Sequence, residues 1–166
     1  IEREPVTIAT LYADLLNPVS RERIASTLQS LQRRIPLEHI VSHQFALQPV
    51  LVEYLTTRLV NRVASAFSAV IHSASKDSDA RSRLHSLLNS HSLCKATAKE
   101  NIRAAQQQLL LTPIAQQLTV SAGTQDIRSI LLGLLDWWRR ENRNEPGYAA
   151  GNILNLITHL QIDLHG

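Results

Sequence analysis

The acidic and histidine side chains of this 166-residue chain do not follow the spacing of a catalytic or metal-binding motif. The sequence contains no G-x-x-x-x-G-K-[ST] phosphate loop, no H-E-x-x-H and no G-x-S-x-G. Asp77 and Asp79 begin like a calcium loop, but the loop's glycine and its closing glutamate are absent. His159, Asp163 and His165 lie near one another at a predicted helix end, which is a weak pattern for a metal site. We therefore predict no catalytic residue, no metal site and no enzyme activity in this chain.

The overall composition is that of a folded, helix-rich protein with few reactive groups. Lys and Arg exceed Asp and Glu by 17 to 14, and a net charge this small is a weak signal for nucleic-acid binding. The single cysteine, Cys94, excludes an intrachain disulfide, and its apolar surroundings predict a buried thiol. The sequence has no signal peptide and no apolar run of the roughly 18 residues that a membrane span needs, so we expect a cytoplasmic chain without a membrane partner. Because methionine is absent, we expect a processed chain or a piece of a longer protein.

Helices and one β-hairpin are predicted for the first half of the chain. Thr7 and Ser20 are suitable N-caps for two helices that end near residues 16 and 34. The segment 37–48 is the only plausible hairpin. Pro49 suits the first position of a long helix that ends near residue 73. Its apolar residues recur every third or fourth position and predict a buried stripe of Val52, Leu55, Leu59, Val63, Phe67 and Val70.

Only helices are predicted for the second half. The polar segment 73–82 is predicted to be a loop that separates a domain of residues 1–75 from an α-helical connector domain of residues 76–166. A helix is predicted from Cys94 to Leu109, and Thr112-Pro113 is predicted to break or kink it. Two more helices are predicted, one capped by Thr124 and one that begins near Tyr148. The expected fold is mainly α, with one short β-hairpin.

The element order of the first domain is that of a winged helix that lacks its first helix. In that fold the second helix of the helix-turn-helix enters the major groove of DNA. The side chains of that helix that could contact DNA are Arg21, Arg23, Gln29, Arg33 and Arg34. The alternative is an ordinary solvated helix face. The predicted wing contains no Lys or Arg, only His39 and His43, which argues against nucleic acid as a partner.

Trp137 and Trp138 are adjacent on a predicted helix, in a chain with only 4% aromatic residues. Successive helical side chains point about 100° apart. One indole can therefore face the core while the other reaches a neighbouring helix or a partner. Both are candidate interface residues, with packing in the core as the alternative.

Eight short segments, taken in order, carry a resemblance to a known family. The first four are REPVTIATL (3–11), DLLNPVS (14–20), LQSLQRR (28–34) and FALQPVLVEYL (45–55). They resemble the winged-helix region of bacterial STAND NTPases, relatives of the apoptotic ATPases and the plant disease-resistance proteins. The others are HSLCKATAK (91–99), LLTPI (110–114), PGYAAGNILNL (146–156) and QIDL (161–164). They resemble the helical segment that precedes C-terminal WD-type or pentapeptide repeats in many such proteins.

The resemblance implies a parent protein in which a nucleotide-binding domain, with ATP or ADP and Mg²⁺, lies upstream of this chain. The winged helix packs on that domain in the family and stabilises the ADP-bound resting state. In the apoptotic and plant relatives a Met-His-Asp motif places a histidine near the ADP phosphates. The matching stretch here, residues 47–49, has Gln48, which can donate a hydrogen bond but has no charge. Gln48 is therefore a candidate nucleotide sensor, with a plain helix-start residue as the alternative.

The leading interpretation is a non-catalytic regulatory segment of a multidomain STAND-type signalling ATPase. Its partners would be the nucleotide-binding domain and the C-terminal sensor repeats of the same protein, with homo-oligomer formation on activation. The chain itself would hold no cofactor. The alternatives are a DNA-binding winged-helix transcription regulator and a stand-alone helical protein-interaction module.

Overall fold

The structure, a computed structural model, describes residues 5–14, 19–34, 37–40, 44–73, 78–123, 126–141 and 146–163. These residues form a mainly α-helical fold with one small antiparallel sheet, which confirms the predicted fold class. The chain divides into two compact units, Ile1–Thr56 and Thr57–Gly166. The predicted domain junction near residue 75 lies outside the described residues.

The described residues of the first unit form two helices, a three-stranded sheet and the start of a third helix. Its elements are β1 (Val6–Thr7), α1 (Ile8–Asp14), α2 (Arg21–Gln32), β2 (Leu37–Ile40), β3 (Gln44–Leu47) and the start of α3 (Pro49–His72). The strand order is β1-β3-β2, with Val6 opposite Phe45 and Leu37 opposite Leu47. The predicted hairpin is therefore present, and the two-residue strand β1, which the sequence did not predict, pairs with its second strand.

Local capping explains where the helices of the first unit begin. The Thr7 hydroxyl accepts the Thr10 amide at 3.1 Å, and the Ser20 hydroxyl accepts the Arg23 amide at 3.2 Å. Each bond satisfies an amide that has no partner within its helix. Both predicted caps are confirmed. A small core of Ile24, Leu28 and Phe45, with Ile8, Leu11 and Val19 packed against it, joins these helices to the sheet.

The long helix α3 begins at Pro49, as predicted, and ends at His72. Its buried positions differ in part from the predicted stripe. Leu55 is 41% exposed, while Thr56 and Val60 are buried. Thr56 can be buried in this stripe because its hydroxyl donates a hydrogen bond to the Val52 carbonyl at 2.6 Å. A buried hydroxyl without such a partner would destabilise the fold.

The second unit is helical throughout its described residues. After the end of α3 its elements are α4 (Ser78–Ser90), α5 (Glu100–Gln106), a π-helical turn (Gln107–Leu111), α6 (Thr112–Ala122), α7 (Ile127–Arg140) and α8 (Ala149–His159). Helix α8 packs against α4, α6, α7 and the π-helical turn. Ile153, Leu156 and Ile157 of α8 are each at most 1% exposed, so this helix lies at the centre of the unit's core.

Three sequence predictions for this unit were wrong in detail. The loop predicted over 73–82 already becomes helical at Ser78. The helix predicted from Cys94 begins only at Glu100, because side chains from elsewhere bind the backbone of the preceding segment, as described below. Helix α7 begins at Ile127 with Asp126 as its cap; the predicted cap, Thr124, lies outside the described residues.

The Thr112-Pro113 pair produces a π-helical turn rather than a break. The Thr112 amide bonds to the carbonyl of Gln107, five residues earlier, and the Thr112 hydroxyl donates to the same oxygen at 3.1 Å. Pro113 has no amide hydrogen, so a regular α-helical bond is lost there in any case. The wider turn allows the helical path to continue from α5 into α6. No helix among the described residues is both long enough and apolar enough to cross a membrane.

Candidate functional site

Gln48 lies between the end of β3 and the first residue of α3. Its carbonyl accepts the amides of Leu51 at 2.9 Å and Val52 at 3.1 Å, which closes the first turn of the helix. The residue is half-buried. These contacts account for Gln48 as a helix-start residue, and its nucleotide-sensing role stays a prediction.

The candidate DNA-contacting side chains of α2 are all exposed, but they do not form one face. Arg21, Arg23 and Gln29 lie within the helix, and Arg33 and Arg34 follow its last residue. At about 100° per residue, Arg21 and Arg23 point roughly 160° apart. The Arg21 guanidinium carbon lies 5.3 Å from the centre of the Tyr12 ring, a cation–π contact with α1. Arg21 and Arg23 therefore do not lie on one stripe that a single groove could contact.

The start of α3 carries a cluster of exposed apolar side chains in the first unit. Val50 is 74% exposed, Tyr54 57% and Leu55 41%. Val50 and Tyr54 are four residues apart and therefore neighbours on one helix face. Exposed clusters of this kind are typical of surfaces that contact another protein or domain. The sequence pattern did not reveal this cluster, because Leu55 fitted the predicted buried stripe.

The two tryptophans of α7 have different surroundings. Trp138 is 5% exposed, and its ring packs edge-on against His85 of α4 with ring centres 5.0 Å apart. Its indole Nε1 has no hydrogen-bond partner among the described residues. Trp137 is half-buried, and the Arg81 guanidinium carbon lies 6.0 Å from the centre of its ring. Trp138 is thus a core residue that joins α4 to α7, whereas Trp137 remains partly open to a partner.

The best-formed polar cluster in the described chain is structural, and its centre is Asn152 of α8. This residue is 1% exposed. Its Oδ1 accepts the Leu93 amide at 2.8 Å, while its Nδ2 donates to the carbonyls of Leu88 at 2.8 Å and His91 at 2.7 Å. The amide group thereby fixes the end of α4 and the non-helical segment that follows it.

Two further side chains hold the same segment. Gln106 accepts the Lys95 amide at 2.9 Å, and Asn155 donates to the Cys94 carbonyl at 3.3 Å. Two of the quoted segments, HSLCKATAK and PGYAAGNILNL, are therefore packed against each other. These contacts help to explain why the helix does not begin at Cys94: the Cys94 carbonyl and the Lys95 amide bond to side chains of other helices instead of to a helical ladder.

Burial and local hydrogen bonds set the environments of Cys94, Asp126 and His159 in the second unit. Cys94 is buried, as predicted, and burial raises the pKa of its thiol although Arg103 opposes this effect. The hydrogen bond that the Ser129 hydroxyl donates to Asp126 at 2.6 Å holds the pKa of that carboxyl below its usual value, and the Arg128 amide adds to this effect. His159 Nε2 lies 3.2 Å from the Thr112 hydroxyl. In the part of the chain that the structure describes, no three His, Cys, Asp or Glu residues are grouped as a metal site requires.

A cleft of about 320 Å³ lies between the end of α3, the first turn of α4 and the first half of α7. Its lining residues are Val70, Ile71, Ser73, Arg81, Ser129, Ile130, Gly133 and Leu134. We call it the connector cleft. No sequence motif indicated it, because its walls come from three separate elements.

Comparison with known proteins identifies one informative relative. The chain is 34% identical, over an alignment of 188 positions, to an uncharacterized WD repeat-containing protein of Nostoc sp.. The alignment covers all of this chain but only 15% of the relative. No protein-family model and no solved structure matches the chain. The chain is therefore similar to one segment of a much larger protein whose name states WD repeats.

Proposed function

We propose that this chain is a non-catalytic regulatory segment of a cytoplasmic STAND-type signalling ATPase. In this role it couples an upstream nucleotide-binding domain to C-terminal sensor repeats and helps to maintain the ADP-bound resting state. The observation that carries the proposal is the match of the whole chain to 15% of a WD repeat-containing protein. A segment that small within a long multidomain protein is suited to connecting other domains.

The first unit supports the proposal through its topology. Strand β1, helices α1 and α2, the β2–β3 hairpin and α3 follow one another in the order of a winged helix without its first helix, and β1 pairs with β3 as the outer strand. The exposed cluster of Val50, Tyr54 and Leu55 gives this unit an apolar surface for the nucleotide-binding domain. Gln48 lies immediately before that cluster and is the proposed nucleotide contact.

The second unit supports a connecting rather than a catalytic role. Two of its buried polar side chains, Asn152 and Gln106, hold backbone segments, and a third, His85, packs against Trp138. In this proposal ATP, ADP and Mg²⁺ are bound by the parent protein, and Trp137 is a candidate contact with the repeats or with another copy on activation.

The direct test is the reading frame that contains this chain, followed by assays of its product. We expect a phosphate-binding loop upstream, WD-type or pentapeptide repeats downstream, and ATP hydrolysis by the complete product. The isolated chain should hydrolyse no ATP. A complete reading frame that starts just before Ile1, or a full product that neither binds nor hydrolyses ATP, would contradict the proposal.

A further inference from the structure

We propose that the outer face of α6 pairs with the same face of a second copy of this chain, with the two helices antiparallel. We call the residues Pro113, Gln116, Gln117 and Val120 the outer α6 face. All four belong to the second unit. The inference goes beyond the proposed function and does not rest on it, because the pairing requires neither a nucleotide nor another domain.

The outer α6 face lies opposite the core. The buried residues of α6 are Ile114, Ala115, Leu118 and Ala122. At about 100° per residue, Val120 points about 160° away from Leu118. Val120 is 82% exposed, both glutamines are exposed and Pro113 is half-buried. The apolar surface of α6 is therefore not confined to its core side, and solvent covers the second apolar surface in the single chain.

The outer α6 face lies in a part of the chain without charge. Residues 104–125 contain no Asp, Glu, Lys, Arg or His, although charged residues make up 19% of the whole chain. Helices α3, α4, α5 and α7 all contain charged residues. Depletion of charge is typical of the centre of protein interfaces. A two-fold contact brings the same surface of both copies together, and this face can meet itself without repulsion between like charges.

The order of the four residues matches itself about a two-fold axis. In an antiparallel pair with the axis between positions 116 and 117, Gln116 lies opposite Gln117 of the other copy, and Pro113 lies opposite Val120. A glutamine amide has both donors and acceptors, so two such amides can bond to each other. An apolar pair then lies on each side of the two glutamine pairs. This self-complementarity makes a second copy the occupant of the face.

The size of the outer α6 face predicts a weak dimer. A standard interface has roughly 20–30 residues on each side, and one helix face supplies far fewer. We therefore expect reversible association of the complete 166-residue chain at high concentration. In sedimentation equilibrium between about 10 μM and 1 mM, the average mass should rise toward that of two chains. The mass of one chain at every concentration would overturn the proposal.

Val120→Arg tests the location of the contact. It should raise the dissociation constant about tenfold or more, because it replaces an apolar contact by a charge. Val50→Arg on α3 and Leu154→Arg on α8 introduce the same charge at other exposed aliphatic residues, and α8 also lacks Asp, Glu, Lys and Arg. Both controls should associate like the wild type. Equal weakening by all three substitutions would show that the outer α6 face is not the contact.

Charges at the two glutamines test the antiparallel register. Gln116→Glu/Gln117→Arg places opposite charges across the axis and should associate at least as tightly as the wild type. Gln116→Arg/Gln117→Arg places like charges there and should raise the dissociation constant about tenfold or more. Gln, Glu and Arg have similar helix propensities, so both variants should keep the wild-type urea midpoint. Equal dissociation constants for the two variants would overturn the proposed pairing.

Discussion

The amide side chain of Asn152 makes three hydrogen bonds to main-chain groups from a position that is 1% exposed. It is the hydrogen-bond partner of one main-chain amide and two main-chain carbonyls at the end of α4 and just beyond it. A buried main-chain group that loses its partner costs about 1–3 kcal/mol. A single side chain therefore holds three main-chain groups of this segment in place.

Replacement of Asn152 should be among the most destabilising single changes in the second unit. Asn152→Leu keeps a similar volume but leaves the Leu93 amide and the two carbonyls without their partner. We expect the free energy of unfolding to fall by about 3 kcal/mol or more, measured by urea denaturation. Asn155→Leu on the same helix is the control, since it removes one bond of 3.3 Å from a half-buried residue and should cost about 1 kcal/mol. Equal losses would contradict this account.

We predict that the contribution of Asp126 to the stability of the fold decreases at acidic pH. Hydrogen bonds from Ser129 and Arg128 lower its pKa in the folded chain. Its charged form therefore favours folding above the unfolded-state pKa, near 3.9, and this contribution is lost as the pH falls through the lower, folded-state value. The urea midpoint of Asp126→Asn should lie below that of the wild type at pH 7, and the gap should narrow below about pH 4. Asp136→Asn on the same helix controls for net charge; an identical pH profile for the two variants would refute the assignment.

Residues whose roles depend on local signals could be predicted from the sequence. Thr7 and Ser20 bond amides three residues ahead, so their types and positions were sufficient. Asn152 could not be identified in this way, since it binds Leu93 across 59 positions of the chain. The same limit applies to the connector cleft, because only tertiary packing brings Ser73, Arg81 and Gly133 to one cavity.

At the scale of elements, the junction between α4 and α8 depends on a close approach at Gly147. A Cβ atom there would overlap the Asn89 side chain. Asn89 Oδ1 accepts the Ala149 amide at 3.4 Å, and the Asn89 carbonyl accepts the Tyr148 amide at 3.2 Å. The start of α8 is thus held on the end of α4 by Asn89, and only glycine leaves room for this side chain.

The cost of a methyl group at position 147 should depend on Asn89. We expect Gly147→Ala to lower the free energy of unfolding by about 1–2 kcal/mol, because Asn89 must move. In an Asn89→Ala background the same change should cost clearly less, since the overlapping atoms are gone. Urea denaturation of the four chains in this double-mutant cycle measures the difference. Additive losses would show that the overlap at Gly147 does not determine the stability of the junction.

Helix α2 is expected not to bind duplex DNA appreciably. Arg21 and Arg23 point in different directions around the helix, and Arg21 stacks on Tyr12. We expect fluorescence anisotropy with a mixed-sequence duplex to give no binding tighter than about 10⁻⁴ M at physiological salt. Tight binding that weakens steeply with salt, and that Arg33→Gln/Arg34→Gln reduces, would instead favour the transcription-regulator alternative.

Among the elements, the periodic ones were predictable and the irregular ones were not. Pro49 and the apolar period located α3, and the polar segment after residue 73 located its end. The same period predicted a helix that begins at Cys94, and this start was wrong. Asn155 and Gln106, which lie on other helices, bond the backbone of Cys94 and Lys95 instead. Strand β1 was missed since two residues are too short to show an alternating pattern.

At the scale of the whole molecule, α3 is the element that belongs to both compact units, because the division after Thr56 falls within Pro49–His72. In the proposed coupling role, this helix transmits rotation between the nucleotide-binding domain and the sensor repeats. A helix can do so only if it resists bending along its length. The central claim is therefore mechanical, and it can be tested without changing any buried side chain.

Paired substitutions at Asn61 and Arg62, both exposed on α3, test this claim in the complete parent protein. Asn61→Gly/Arg62→Gly loosens the helix by about 1 kcal/mol per residue relative to Asn61→Ala/Arg62→Ala, which is the matched control. The measurement is ATP turnover together with the amount of ADP that copurifies with each protein. We predict that the glycine pair loses bound ADP and control of turnover while the alanine pair keeps both. Equal ADP retention and equal turnover in two folded variants would contradict the coupling role of α3.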